Sequence, residues 1–293
     1  MTNNVDNRKG YIFSREEDGY CLLLYSGLDS VLTLPENYNG ESYRIGECAF
    51  FANKKIASVV IPNGVAAIGA HAFTSCTALR SITLGTGITE ISDCAFDNCT
   101  GIIEVVNNSP LDIRLGSEDN GLIAYHAKDI RSGESRLTEH EGFLFYPSNT
   151  EYGIVGYTGT LRHLTLPDAF CGEPYPILPR AFSCHEFLRG VTLGNGVTEI
   201  GESAFADCLL LEEVRLGNNT STIGSRAFET CMSLERVILP ESLRVIGSNA
   251  FSGCTCLTDI YYTGDEERFA GLEIGDGNHF LLSATIHYNY SEQ

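Results

Sequence analysis

Thiols are the side chains in this chain whose type and spacing could do chemistry. Of its 11 cysteines, Cys76, Cys99, Cys208, Cys231 and Cys254 stand at one position of a recurring pattern, where Asn53 and His185 take the same slot. Such a series could form disulfides, bind a metal through thiolates or supply a nucleophile. If the units stack in parallel, successive Cα atoms lie ~4.8 Å apart. Their Cβ vectors then point the same way, which spoils the dihedral a disulfide requires. The spacing therefore predicts buried free thiols filling a small core slot. The other six (Cys21, Cys48, Cys94, Cys171, Cys184 and Cys256) share no register. Cys254-Thr255-Cys256 is too short for zinc, and no second Cys/His pair has ligand spacing, so neither metal nor cofactor is expected.

Other catalytic constellations are missing. The sequence holds no G-x-S-x-G elbow, phosphate loop, H-E-x-x-H or dinucleotide fingerprint. Its histidines scatter: His71 and His185 fall at repeat positions, His163 precedes a strand and His287 lies in the last one. No catalytic residue is assigned, and the chain reads as no enzyme.

What positions the cysteines is an Ala-Phe pair that returns at Phe50, Phe73 and Phe96, then at Phe182, Phe205, Phe228 and Phe251. A fixed short period marks stacked units. Each unit reads A-F-x-x-C-x-x-L-x-x-V-x-L-[PG]-x-x-V-x-x-I-G-x-x. The period-two stretch L-x-x-V-x-L predicts one short strand per unit. Pro or Gly ends the strand, and Ile-Gly marks a second bend. The stretch from that Gly to the Cys has room for one helical or 3-10 turn, with Leu, Ile, Val and Phe layered between.

A longer repeat overlies the first. Tyr25, Phe50, Cys76 and Cys99 recur as Tyr157, Phe182, Cys208 and Cys231, so the chain is a tandem duplication. Each copy opens with a predicted β-hairpin, around Asp18-Gly19 and around Ser148-Asn149, then a divergent unit and regular ones, giving roughly nine strands in all. We divide the chain into 1–108, an insert 109–141, 142–262 and a C-terminal cap 263–293, forming one continuous stack. The insert reads as a decorating loop with a strand near Leu122 to Tyr125, or as a binding loop on a rigid scaffold. The cap predicts a helical turn at Asp265 to Phe269 and a last strand at Ala284 to Tyr290.

These motifs resemble the BspA-like (bacterial surface antigen A type) leucine-rich repeat family, whose units carry the Ala-Phe followed by Cys or Asn. The resemblance implies a leucine-rich-repeat solenoid, α/β to mainly β: a curved right-handed stack with parallel strands on one side and short turns on the other. It implies binding, in some members adhesion to host proteins, and hence secretion or surface display. The N-terminus, Met1 to Asp6, lacks a basic region followed by an apolar run, which predicts a cytoplasmic chain if that end is native.

Charge narrows the partners. With 38 acidic against 19 basic residues the net charge is −19, which repels phosphate backbones and anionic lipid. We expect no nucleic acid, no membrane insertion and a protein ligand; the alternatives are a structural or self-associating spacer and, behind it, an enzyme with a site built on the insert. Residues flanking the central Val of each strand point outward. The first copy presents Ser58, Val60, Ser81, Thr83, Glu104 and Val106. The second presents Thr192, Glu213, Arg215, Arg236, Ile238, Asp259 and Tyr261, and its Arg and Tyr make it the candidate site.

Overall fold

The computed structural model describes residues 6–8, 10–147 and 152–291. The expectations for Met1 to Val5 and for the Ser148-Asn149 turn lie outside them. The chain divides into two compact units, Met1–Arg136 and Leu137–Gln293.

In the first unit the V-x-L segments form a parallel ladder of five rungs: Val31–Thr33, Ser58–Ile61, Ser81–Leu84, Glu104–Asn107 and Asp129–Arg131. In the second unit the ladder has six: His163–Thr165, Gly190–Thr192, Glu213–Arg215, Arg236–Leu239, Asp259–Tyr262 and Thr285–His287. The rungs beyond the nine expected from the repeats are Asp129–Arg131, which lies in the insert, and Thr285–His287, in the cap.

Each unit holds a second parallel ladder where the sequence predicted only a bend. Its strands are the V-x-x-I segments, Tyr43–Ile45, Val65–Ile68 and Glu90–Ile91 in the first unit. Those of the second are Tyr175–Ile177, Val197–Ile200, Thr222–Ile223, Val245–Ile246 and Glu273–Ile274. The glycine after Ile is required by close approach, since a Cβ at Gly247 would sit 2.4 Å from the Ser225 nitrogen. The hairpins feed this ladder: Tyr11–Glu16 pairs antiparallel with Gly19–Tyr25, which runs parallel to Tyr43–Ile45. Phe143–Pro147 and Tyr152–Tyr157 form the antiparallel pair of the second unit.

Between the ladders the Ala-Phe segments make a third line of bonds. Phe50, Phe73, Phe182, Phe205 and Phe228 each donate their amide to the alanine carbonyl of the next rung or its equivalent, at 2.7–2.8 Å. Buried backbone groups need partners, and this pattern supplies them without regular helix. It forces a left-handed residue two places either side of each Phe, for example Cys48 (φ 57) and Ala52 (φ 54), or Arg226 (φ 57) and Thr230 (φ 61). Cys48, Cys94 and Cys184, which shared no register in the sequence, all stand at these left-handed positions.

The phenylalanines stack face to face, with centroids 4.5 Å apart for Phe50–Phe73, 5.0 Å for Phe73–Phe96, and 4.8, 5.3 and 5.2 Å along Phe182, Phe205, Phe228 and Phe251. Beside them run the five cysteines of the common slot, all buried, and every cysteine of the chain is a free thiol. Each of the five donates its Sγ–H to the carbonyl of the Phe one rung back: Cys76 to Phe50 (3.1 Å), Cys99 to Phe73 (3.0 Å), Cys208 to Phe182 (3.2 Å), Cys231 to Phe205 (3.2 Å) and Cys254 to Phe228 (3.1 Å). The slot thus calls for a small residue with a donor, which is what Cys provides.

The insert corrects the expectation of a strand at Leu122 to Tyr125. A 3-10 turn occupies Asn120–Leu122 and the strand is Asp129–Arg131. The turn takes the Ala-Phe place, with Gly121 accepting from the Phe96 amide. At the C-terminus the helical turn is Glu266–Ala270, capped by the Asp265 carboxylate on the Arg268 amide.

Candidate functional site

Outward residues of a parallel ladder form rows, because equal positions on successive rungs face each other. In the second unit one row runs Gly190, Glu213, Arg236, Asp259, Thr285 and the next runs Thr192, Arg215, Ile238, Tyr261, His287. The register brings all seven candidate residues onto one face. Arg215 and Arg236 lie on neighbouring rungs of that face, but in different rows.

The first row alternates in sign. Arg236 Nε lies 2.8 Å from Glu213 Oε2, and on its other side the register places Asp259. His287 Nε2 meets Asp259 Oδ1 at 2.7 Å. That hydrogen bond, with a second from the Thr258 hydroxyl, holds the Asp259 carboxyl below the usual carboxylate range. In the second row Tyr261 stacks on His287 with centroids 4.6 Å apart and planes 13° from parallel, and Tyr290 packs 4.8 Å from Tyr261. His287 and Tyr290 therefore belong to the surface, although the sequence reading did not include them. The alternation Thr285, His287 in the final strand was the signal for one of them.

Ile238 is corrected: it is 6% exposed between Arg215 and Tyr261, so it supports the surface and does not present itself. A larger correction concerns the first unit. Ser58, Ser81, Glu104 and Val106 were expected to face outward freely, yet all four are buried. The insert folds back over Ser81 and Glu104. The Glu104 carboxylate, fully buried, accepts from the Ser81 hydroxyl (2.9 Å), the Ser135 hydroxyl (2.6 Å) and the Arg136 amide (3.1 Å). Asn108 and Gly133 exchange two further hydrogen bonds, of 3.1 and 2.8 Å. Segment 132–136 is thus a strap across the first ladder, and a buried carboxylate is its anchor.

A polar cleft elsewhere in the second unit is lined by Asn218, Glu241, Arg244, Thr263 and Arg268. Its cations are committed within the chain, Arg268 to the Glu241 carboxylate and Arg244 to the Glu241 and Leu243 carbonyls. Among the described residues no group of three or more His, Cys, Asp or Glu side chains is placed to hold a metal. No described helix is long and apolar enough to cross a membrane.

A profile of the BspA type leucine rich repeat region matches six copies, over residues 33–114 and 176–270, more than half of the chain. The chain belongs to the BspA-type leucine-rich repeat family. Among solved structures, a leucine rich cell surface protein from Faecalibacterium prausnitzii is 19% identical, with 93% of this chain and 98% of that one covered at a TM-score of 0.38. The pneumococcal vaccine antigen PcpA is 15% identical, covering 99% and 88% at 0.45, and a leucine-rich repeat protein of T. pallidum is 23% identical, covering 87% and 91% at 0.33. No curated protein matches the sequence. The stacked rungs and the profile together make this BspA-type chain a leucine-rich-repeat scaffold.

Proposed function

We propose that the chain is a non-enzymatic binding scaffold, and that the ladder face of its second unit takes a protein ligand. One observation carries the reading: equivalent faces of the two copies differ in occupancy. In the first, the strap 132–136 covers Ser81 and Glu104. In the second, Arg236, Asp259 and His287 reach solvent with side chains 55%, 36% and 42% exposed. Alternating charge beside a Tyr261, His287 and Tyr290 aromatic cluster gives a partner both orientation and an anchor. Adhesion to a host protein is the finer form of this reading.

The test is a titration of the partner recovered on the immobilised full chain. Arg215→Glu combined with Arg236→Gln avoids three acids in one row and should leave the melting temperature nearly unchanged, because exposed pairs contribute ~0–1 kcal/mol. Affinity should fall at least tenfold. Unchanged affinity removes this face from the site.

A further inference from the structure

The corner between the Ala-Phe turn and the strand ladder carries a second surface, independent of the ladder face. On four successive rungs of the second unit this corner presents Phe187, then Leu209 and Leu210, then Met232, then Cys256. Phe187, Leu209, Leu210 and Met232 are 51%, 50%, 39% and 50% exposed, and Cys256 is exposed too. Rung-to-rung hydrogen bonds pin the corner on both sides. On one side Cys184, Asp207 and Thr230 donate to the carbonyls of Ala206, Glu229 and Ser252, and on the other Glu212, Glu235 and Thr258 donate to those of Arg189, Glu212 and Glu235. The backbone of the corner is therefore held at the rung spacing, and the apolar side chains, four or five places after each Phe, line it as a ridge.

The fold does not ask for them. The same corner in the first unit carries Lys54-Lys55, Thr77-Ala78 and Thr100-Gly101 and makes the same backbone turns. Apolar residues that one copy dispenses with and the other exposes in line mark an interaction surface. Acids border the ridge: Asp207 comes two residues before Leu209, and Glu235 three after Met232. Neither has an ion-pair partner among the described residues.

We infer that the ridge docks a basic amphipathic helix of a partner protein. Spacing selects a helix. Rungs repeat at ~4.8 Å, against ~5.4 Å per helical turn and ~6.6 Å between same-face residues of an extended chain. Four rungs span ~14 Å, which three helical turns with an apolar stripe at i, i+4, i+7, i+11 cover. Charge selects a basic one, since the flanks are acidic and the whole chain carries −19.

The test uses the full chain and three synthetic 15-residue peptides, titrated by fluorescence anisotropy at physiological salt: a Lys/Leu amphipathic helix, its Glu/Leu counterpart and a Lys/Ser peptide of equal charge. The Lys/Leu peptide should bind at least tenfold tighter than either other. The triple variant Leu209→Ser, Leu210→Ser, Met232→Ser should lose that advantage while keeping its circular dichroism and melting temperature. The same substitutions' effect is to be compared with Ala78→Ser in the first unit, which should change nothing. No binding by the wild-type chain, or equal binding by the triple variant, overturns the proposal. So does equal binding of the Glu/Leu peptide. A wild-type dimer in light scattering that the triple variant dissolves would make a second copy the occupant and overturn it likewise.

Discussion

Raising the pH should unfold the second unit through its thiols. Burial pushes Cys208 and Cys254 up to about 12 from the ordinary 9.0, and raises Cys231 well above it. The folded chain keeps these protons after the unfolded chain has lost them. The stability they hold is full below pH 9 and drains away as the pH climbs towards 12. At pH 10 the unfolded thiol is about ten-elevenths ionised, worth ~1.4 kcal/mol for each group that stays protonated when folded. Three such groups remove ~4 kcal/mol, a large share of the 5–15 kcal/mol typical of a domain. Urea unfolding at pH 8 and pH 10 measures the total, and Cys208→Ala isolates one thiol, because tyrosine and lysine ionisation is common to both proteins. The variant should lose ~1.4 kcal/mol less than the wild type between the two pH values. A thiol reagent at pH 8 should meet Cys48, Cys171 and Cys256 in the native chain and all 11 cysteines after denaturation. Equal pH slopes for wild type and Cys208→Ala would refute the reasoning.

Two further substitutions test the stack. Phe205→Ala removes a fully buried ring held between Phe182 and Phe228 at 4.8 and 5.3 Å, and should cost ~3–5 kcal/mol in chemical denaturation; a shift too small to measure would contradict the packing. Thr230 adopts φ 61 where the next unit has Gly253 at φ 75, so Thr230→Gly should stabilise by ~0.5–1 kcal/mol. The reciprocal Gly253→Ala should destabilise, because its Cβ would stand 3.2 Å from the Thr230 Cα in a left-handed backbone. Melting curves of the two variants shifting in the same direction would count against this account.

The parts of the fold legible in the sequence are those that every rung must repeat. Phe, Cys and the Ile-Gly bend touch their own kind on the neighbouring rung, so they recur in register and stand out. The second ladder escaped because a strand as short as Glu90–Ile91 offers a single buried residue. Asp129–Arg131 escaped for a related reason: it joins the ladder through pairing with Glu104–Val106, 25 residues away, and no apolar alternation marks it. The burial of Glu104 was illegible for the same cause. It depends on Ser135, 31 residues on, whose hydroxyl is ordinary in a polar loop. On the candidate face, alternation about Val214 and Val237 put Glu213, Arg215 and Arg236 on the outward side of their rungs. It could not reveal that Arg236 pairs with Glu213 while Ile238 is covered.

The thiol bond to the preceding rung gives the array an origin. Asn53 and His185, which replace Cys, stand in the first regular repeat of each copy, where the residues 26 places earlier are Gly27 and Gly159 and no phenylalanine carbonyl waits for a donor. Asn53 turns to its own loop instead, its carbonyl accepting from the Lys55 and Ile56 amides. Beyond that start, each regular rung finds its partners at a constant offset, until the insert and the cap change it. Cutting out residues 206–228 would bring Cys231 to the Phe182 carbonyl that Cys208 now holds, and each remaining bond would meet an equivalent acceptor. Array length is thus a free variable of this architecture, open to gain or loss of whole units by recombination, while the ends alone are irreplaceable.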